Sequence, residues 1–154
     1  RRKDGISKTK AWRLYLDPLY GQRNISNIMR LQPLKMQSAK MKKAIDKVGP
    51  NFRMFQMTNF DSTQINYYED DDHYDSHVDL YMMTMFCWLH RKPKAFTGGD
   101  ITFSDTNVTL KCEYNRFVMF PSYYRHAVKP IKMKEKNAAV GSGRYCIVNF
   151  YGKR

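Results

Sequence analysis

The sequence predicts a mainly β protein with helices at its N-terminal end. Two observations lead to this fold class: helical spacing of apolar residues between positions 23 and 48, and a change of pattern at Phe52. From there on, short aromatic and β-branched segments alternate with Asp, Gly, Asn and Pro clusters, which is typical of all-β proteins. Helices followed by about eight strands argue against a βαβ fold and favour a closed or double-sheet architecture.

The length and composition fit one folded domain. The 154 residues are 42% hydrophobic and 14% aromatic, which excludes a disordered tail or a collagen-like repeat. We predict a single domain over residues 1–154, with a helical flank at 1–50 and a β core at 52–152. No segment approaches the roughly 20 apolar residues that span a bilayer, and no apolar segment follows the basic N-terminus, so we expect a cytoplasmic protein without a membrane partner.

Each element is predicted from its local pattern. Trp12, Leu14 and Leu16 alternate with other residues and predict a short strand. The helical segment ends at Gly49, and Pro33 predicts a break into two helices. Three cysteines without paired spacing are expected to be reduced core residues: Cys87, Cys112 and Cys146. The predicted strands cover residues 52–60, 63–68, 77–89, 100–103, 109–112, 116–120, 126–131 and 145–151.

The positive charge is concentrated in the first third of the chain. The formal net charge is +13, and residues 1–50 contain 13 basic and 3 acidic residues. This basic N-terminal third predicts either binding to nucleic acid or another acidic partner, or a solvated, lysine-rich helical face. We favour the solvated face, because no aromatic side chains interleave with the lysines.

A possible metal site begins at His77-Val78-Asp79. Side chains two residues apart on a strand project to the same face, so this imidazole and this carboxylate can converge on one ion. His126 opens a later predicted strand and is the candidate for a third ligand. Two histidines and one carboxylate form the facial triad of non-haem Fe(II) sites, with open positions for a co-substrate and O₂.

Arg144 is the candidate anion-binding residue. It opens the apolar segment Arg144-Tyr145-Cys146-Ile147-Val148. A guanidinium among apolar neighbours requires a buried anion, and a carboxylate matches its planar fork. The alternative is an arginine that extends to water from the end of a strand.

Four blocks of the sequence, taken in order, resemble a known family. They are Tyr68-x-x-Asp71-x-x-Tyr74-x-x-His77-x-Asp79, Thr97-Gly98-Gly99-Asp100-Ile101-Thr102-Phe103, Phe120-Pro121 with His126-Ala127-Val128, and Arg144. This order resembles the 2-oxoglutarate- and Fe(II)-dependent dioxygenases, in particular their prolyl 4-hydroxylase-like branch. The resemblance implies a double-stranded β-helix (jelly-roll, cupin-like) core. It also implies that decarboxylation of 2-oxoglutarate to succinate and CO₂ is coupled to hydroxylation of a C–H bond.

The resemblance also implies roles for individual residues. His77, Asp79 and His126 would be the iron ligands and catalytic residues, and Arg144 would bind the distal carboxylate of 2-oxoglutarate, with Arg116 and Arg125 as alternatives. Tyr68 would face the co-substrate. Trp88 occupies a position where some relatives carry a second co-substrate-binding tyrosine, and its indole can only donate. The implied cofactors are Fe(II), 2-oxoglutarate and O₂, with ascorbate as an auxiliary reductant.

Three functions stay open on the sequence alone. The leading hypothesis is hydroxylation of a peptide or protein substrate, with proline as the first target residue. The second is a nucleic-acid base dealkylase, because Asn66-x-Tyr68 resembles that branch as well, although Phe150 stands where that branch has a second arginine. The third is a non-catalytic jelly-roll binding module whose three ligands hold zinc or no metal.

Overall fold

The computed structural model describes residues 9–154, and its helices lie near the N-terminal end. Three α-helices are present: α1 (Leu16–Tyr20), α2 (Asn27–Met36) and α3 (Ala39–Asp46). Two 3-10 helices, Arg23–Ile25 and Pro50–Met57, complete the helical part. In the described part of the chain, no helix is both long and apolar enough to cross a membrane.

The strands form two five-stranded antiparallel sheets and one two-stranded sheet. They are β1 (Thr9–Lys10), β2 (Trp12–Tyr15), β3 (Phe60–Tyr68), β4 (His73–His77), β5 (Met83–Leu89), β6 (Phe96–Gly98), β7 (Ile101–Phe103), β8 (Val108–Leu110), β9 (Phe117–Pro121), β10 (His126–Val128), β11 (Ile131–Met133) and β12 (Arg144–Gly152). The major sheet has the order β2-β3-β12-β5-β9 and the minor sheet β1-β4-β10-β7-β8, while β11 pairs with β6. This mainly β architecture with N-terminal helices confirms the predicted fold class.

The two faces of the major sheet have different partners. Its inner face packs on the minor sheet through a cluster that includes Phe86, Trp88 and Phe120. Part of its outer face is covered by the helical segment, where Phe55 packs edge-on against Tyr151 with ring centroids 5.1 Å apart. The three cysteines are free and buried, as predicted.

The predicted helix break at Pro33 is wrong in position. Pro33 lies inside α2, and the break falls at Ser38, whose hydroxyl caps α3 by accepting from the Met41 N–H at 3.4 Å. Proline removes the donor that would bond the Met29 carbonyl, but Arg23 Nη2 donates to that carbonyl at 3.3 Å instead. A distant side chain therefore allows the helix to continue through the proline.

Three strand predictions also need correction. The strand predicted at residues 52–60 is wrong: Pro50–Met57 is a 3-10 helix, where Phe52 and Phe55, three residues apart, lie on one side. The predicted strand 126–131 ends at Val128, because Pro130 lacks the N–H that would continue the ladder. Residues 77–89 are interrupted between His77 and Met83. The flank predicted as helical also contains β1 and β2.

Arg23 links the helical segment to the sheet. Its guanidinium contacts the carboxylates of Asp17 and Asp61 and donates to Thr63 Oγ1 at 3.2 Å. We expect Arg23→Ala to lower the free energy of unfolding by about 2–3 kcal/mol, because two partly buried carboxylates lose their cation. Urea denaturation measures the change.

The matched control is Arg53→Ala. Arg53 is 68% exposed and pairs with Asp46 at 3.4 Å on the surface. Its removal should change the free energy of unfolding by less than about 0.5 kcal/mol. Equal losses in the two variants would show that the Arg23 contacts do not stabilise the fold.

Candidate active site

His77 and His126 are cross-strand neighbours. His77 ends β4, His126 begins β10, and the two residues are directly paired in the minor sheet, which places their side chains on one face. Between this pair and the pair Tyr74–Val128, β4 has one more residue than β10, so a β-bulge adjoins the site. The two imidazole centroids lie 4.3 Å apart.

Asp79 joins the two histidines from just beyond the end of β4. Its Oδ1 lies 3.6 Å from His77 Nε2 and its Oδ2 lies 3.6 Å from His126 Nε2. One potential ligand atom from each of the three residues lies within 4.8 Å of the others. The expectation that Asp79 continues a strand is wrong, because its N–H bonds to the Ser122 carbonyl at 3.0 Å. The convergence of the side chains nevertheless agrees with the sequence interpretation.

Both histidines present the Nε2 atom to this centre. The Nδ1–H of His77 donates to the Asp75 carbonyl at 2.7 Å, and that of His126 donates to the Tyr124 carbonyl at 2.8 Å. Burial lowers the pKa of His77, and the neighbouring His126 lowers it further. A neutral imidazole with its Nδ1–H bonded in this way is the form that binds metals through Nε2.

A hydroxyl pair orients the carboxylate. Thr84 Oγ1 donates to Asp79 Oδ2 at 2.7 Å and lies 2.8 Å from Ser122 Oγ. The sequence analysis missed both hydroxyls, since they come from β5 and from the turn after β9. The only signals for them were a single threonine within the apolar segment 81–89 and a serine directly after the apolar segment 117–121.

We expect Thr84→Val to weaken metal binding about 10- to 100-fold, because Asp79 loses the donor that fixes its rotamer. Thr84→Ser keeps the hydroxyl and should bind metal as the wild type does. Titration with Co(II), followed by its visible d–d absorption, measures both affinities. Equal affinities for Thr84→Val and the wild type would contradict a role for this hydrogen bond.

Arg144 is a buried cation without an anionic partner. Its side chain is 1% exposed, and neither its Nε nor its Nη1 has a hydrogen-bond partner. The guanidinium lies 4.6 Å from the ring centroid of Tyr68 and 5.5 Å from that of Trp88. This burial excludes the alternative that Arg144 extends to water.

The groups around Arg144 do not supply the missing negative charge. Burial raises the pKa of Tyr68 and of Cys112, and it raises the pKa of Cys146 to about 12, so these groups are neutral near pH 7. Among residues 9–154, no carboxylate forms an ion pair with Arg144. A buried guanidinium with free donors is costly unless an anion binds to it.

Gly99 leaves the space that Arg144 occupies. It has φ +72°, and a Cβ built there would lie 2.9 Å from Arg144 Cδ and 3.2 Å from Ile131 Cγ1. A side chain at this position would therefore displace Arg144. The glycine pair next to β7 allows the arginine to lie against the backbone.

One cavity connects the histidine–aspartate group to Arg144. It is partly open to solvent. Its lining includes the three convergent side chains, Tyr68 and Arg144, the buried amides of Gln64 and Asn66, and apolar groups that include Ile101, Val128, Val148 and Phe150. The polar groups of this lining thus include the histidine–aspartate group, the Arg144 cation and two amides that both come from β3.

The remaining candidate residues lie in different surroundings. Tyr68 is 2% exposed and lines the cavity. Trp88 is fully buried beside Arg144, and its indole Nε1–H has no partner. Arg116 pairs with Glu113 at 2.7 Å, and the side chain of Arg125 is on the surface, so neither lines the cavity.

Asp71 adopts a left-handed backbone conformation in the turn between β3 and β4. Its φ is +63°, a conformation that aspartate tolerates and that glycine usually adopts. The turn is held by Asp72, which is 5% exposed and accepts from the Glu69 N–H at 2.8 Å. This turn connects β3 to β4, the strand that carries His77.

These residues fit a metal ion and a dianionic co-substrate. Two imidazole nitrogens and one carboxylate suit Fe(II) and leave coordination positions open. The free donors of Arg144 and Trp88 suit a carboxylate that is held away from water. This fit depends on two observations: the convergence of two imidazoles and a carboxylate, and the buried Arg144 guanidinium without an anionic partner.

The comparisons with known proteins agree with the geometry. Residues 63–152 match the family described as the 2OG-Fe(II) oxygenase superfamily. No curated protein is significantly similar to the chain in sequence.

Three solved structures share the fold. A 2OG-Fe(II) oxygenase family oxidoreductase from Burkholderia pseudomallei is 16% identical, with a TM-score of 0.59 over 82% of this chain and 58% of that chain. A Pseudomonas putida prolyl-4-hydroxylase is 15% identical, with a TM-score of 0.59 over 100% of this chain and 77% of that one. A viral collagen prolyl hydroxylase from Paramecium bursaria Chlorella virus-1 is 17% identical, with a TM-score of 0.55 and coverages of 97% and 82%. This chain thus spans less than two thirds of the Burkholderia protein.

Proposed function

Because the chain belongs to the 2OG-Fe(II) oxygenase superfamily, we propose that it is a dioxygenase that hydroxylates a peptidyl residue, with proline as the first candidate. One observation carries the enzymatic part of this proposal. Two histidines and an aspartate converge in the same cavity as a buried arginine whose Nε and Nη1 donors have no hydrogen-bond partner. A structural role for Arg144 would require an internal anion, and its described neighbours provide none.

We assign the binding roles to the residues predicted from the sequence. His77, Asp79 and His126 would hold Fe(II), and Arg144 would bind the distal carboxylate of 2-oxoglutarate. With iron bound, the family's chemistry couples decarboxylation of 2-oxoglutarate by O₂ to hydroxylation of a C–H bond, giving succinate, CO₂ and the alcohol.

The protein's own contribution is to bind and orient the metal and the co-substrate. Arg144 anchors the co-substrate at one end, while Tyr68 and Trp88 border the guanidinium and contribute a hydroxyl and an indole N–H. Thr84 keeps the Asp79 carboxylate oriented. The apolar lining lowers the local dielectric, which strengthens the charge-assisted bonds to Arg144.

A peptide is favoured over a nucleic-acid base on two grounds. Two of the proteins that share the fold are a prolyl-4-hydroxylase and a collagen prolyl hydroxylase. In addition, Phe150 lines the cavity at the position where a second arginine would be expected in a base dealkylase.

The test is an activity assay with three substrate classes. The protein is incubated with Fe(II), 2-oxoglutarate, O₂ and ascorbate, together with proline-rich peptides, methylated single-stranded oligonucleotides or no substrate. Succinate formation that is stimulated by peptides, with a gain of one oxygen atom in the peptide mass, supports the proposal. Formaldehyde release from the oligonucleotides would support the dealkylase instead, and no succinate in any sample would exclude the enzymatic function.

A further inference from the structure

Large apolar and aromatic side chains are exposed around Asp79. Leu80 is 95% exposed, Val78 40%, Tyr81 38% and Tyr123 49%. We call these four residues the Leu80 patch. An isolated exposed leucine is ordinary, but four large side chains beside a candidate metal ligand form a surface of the kind that binds a partner.

The backbone beneath the Leu80 patch holds its two chain segments together. The Asp79 N–H donates to the Ser122 carbonyl at 3.0 Å, and the Ser122 N–H donates to the Met82 carbonyl at 3.0 Å. Tyr123 directly follows Ser122, so it lies beside the segment that carries Leu80. The Met82 N–H also bonds to the Tyr151 carbonyl at 3.0 Å. The backbone that carries the patch is therefore held in place, which reduces the backbone entropy lost when a partner binds.

The patch is continuous with the cavity. The Tyr81 ring stacks on Phe150 with centroids 4.7 Å apart and an interplanar angle of 19°. Phe150 lines the cavity together with Asp79. The exposed surface at Tyr81 therefore adjoins the cavity through Phe150.

We propose that the Leu80 patch binds an apolar or aromatic side chain of a polypeptide substrate, close in sequence to the residue that enters the cavity. This inference rests on the proposed function and specifies its substrate class. Successive residues of an extended peptide are about 3.3 Å apart, so one segment can reach both the cavity and the patch. Tyrosine and exposed aliphatic side chains suit the burial of apolar peptide side chains.

Charge favours a peptide over a nucleic acid as the occupant. None of the four patch residues is basic, whereas nucleic-acid binding depends mainly on cations that contact phosphates. One face of the Tyr81 ring is already covered by Phe150, which reduces the surface for base stacking. The patch residues instead offer apolar surface with two phenolic hydroxyls.

The experiment compares Leu80→Ser with Val140→Ser. Leu80 is almost fully exposed, so its replacement should not unfold the protein, and Val140 is 88% exposed in the loop before β12, away from the patch residues in sequence. The probes are short peptides with a central proline, in which each flanking position is set in turn to Leu, Phe, Ser or Asp. Binding is measured by fluorescence anisotropy to Fe(II)-loaded protein without O₂, so the readout does not require turnover.

The proposal predicts that wild type and Val140→Ser prefer Leu or Phe at one flanking position, and that Leu80→Ser weakens binding of these peptides roughly 10-fold or more and removes the preference. No peptide binding, or a preference that survives in Leu80→Ser, would overturn it. If Leu80→Ser weakened only the binding of oligonucleotides, the occupant of the patch would be a nucleic acid. If it changed only the oligomeric state, measured by light scattering, the occupant would be a second copy of the chain. Either result would overturn the proposal. Failure of the proposed function is visible separately, as absence of succinate when 2-oxoglutarate and O₂ are added to the same samples.

Discussion

Arg144→Met should abolish measurable binding of 2-oxoglutarate. The variant should still fold in the absence of this co-substrate. The variant removes the charged donors that we assign to the distal carboxylate, and losing one partner of a buried charge pair costs about 3–5 kcal/mol, or roughly 10²- to 4 × 10³-fold in affinity. Thermal unfolding with and without 2-oxoglutarate measures this effect, because a ligand that binds only the folded state raises its stability. We expect a shift in the wild type and no shift in the variant.

The same substitution distinguishes binding from a structural role. Without co-substrate, Arg144 is a buried cation with unpartnered donors, so Arg144→Met should unfold at the same temperature as the wild type or higher. Arg144→Lys keeps the charge but not the planar fork, and should retain weak binding. A strong destabilisation of the co-substrate-free Arg144→Met variant would show that Arg144 stabilises the fold instead.

Asp79→Ala should eliminate both metal binding and succinate formation. The carboxylate lies 3.6 Å from the Nε2 atoms of His77 and His126, and it is the only anionic member of the group. Its loss leaves two neutral ligands, and we expect the affinity for Fe(II) or Co(II) to fall roughly 10²- to 4 × 10³-fold, by the same estimate for a removed charge partner. Co(II) absorption and metal content after gel filtration measure the loss.

The control for this prediction is Asp46→Ala. Asp46 lies at the end of α3 and pairs with Arg53 on the surface, with its side chain 46% exposed. This variant removes the same charge without touching the candidate site and should keep wild-type metal affinity. Wild-type affinity in Asp79→Ala would show that the metal is held elsewhere.

Much of the fold and the candidate site can be predicted from the sequence, because the motifs are local. The spacing His77-x-Asp79 brings two side chains together whether or not the strand continues, and it does not continue. His126 could be identified from its position at the start of an apolar strand and from the family resemblance, which the match over residues 63–152 confirms. The roles of these residues stay predictions until they are tested by substitution.

The errors arise where distant contacts decide the local structure. Pro33 remains helical because Arg23 supplies a donor to the Met29 carbonyl. The segment around Phe55 is rich in apolar residues, but it forms a 3-10 helix that packs against Tyr151. Thr84 was missed because its hydroxyl matters only once β5 is placed beside Asp79. None of these partners can be recognised from neighbouring sequence.

Visible absorption after anaerobic addition of Fe(II) and 2-oxoglutarate tests the central claim most directly. If His77, Asp79 and His126 hold the metal and Arg144 holds the co-substrate beside it, a metal-to-ligand charge-transfer band should develop in the wild type. The band should require both additions and should be absent from Asp79→Ala and Arg144→Met at the same concentrations. A wild-type protein that binds Fe(II) but gives no band at saturating 2-oxoglutarate, or a band that persists in both variants, would contradict the account.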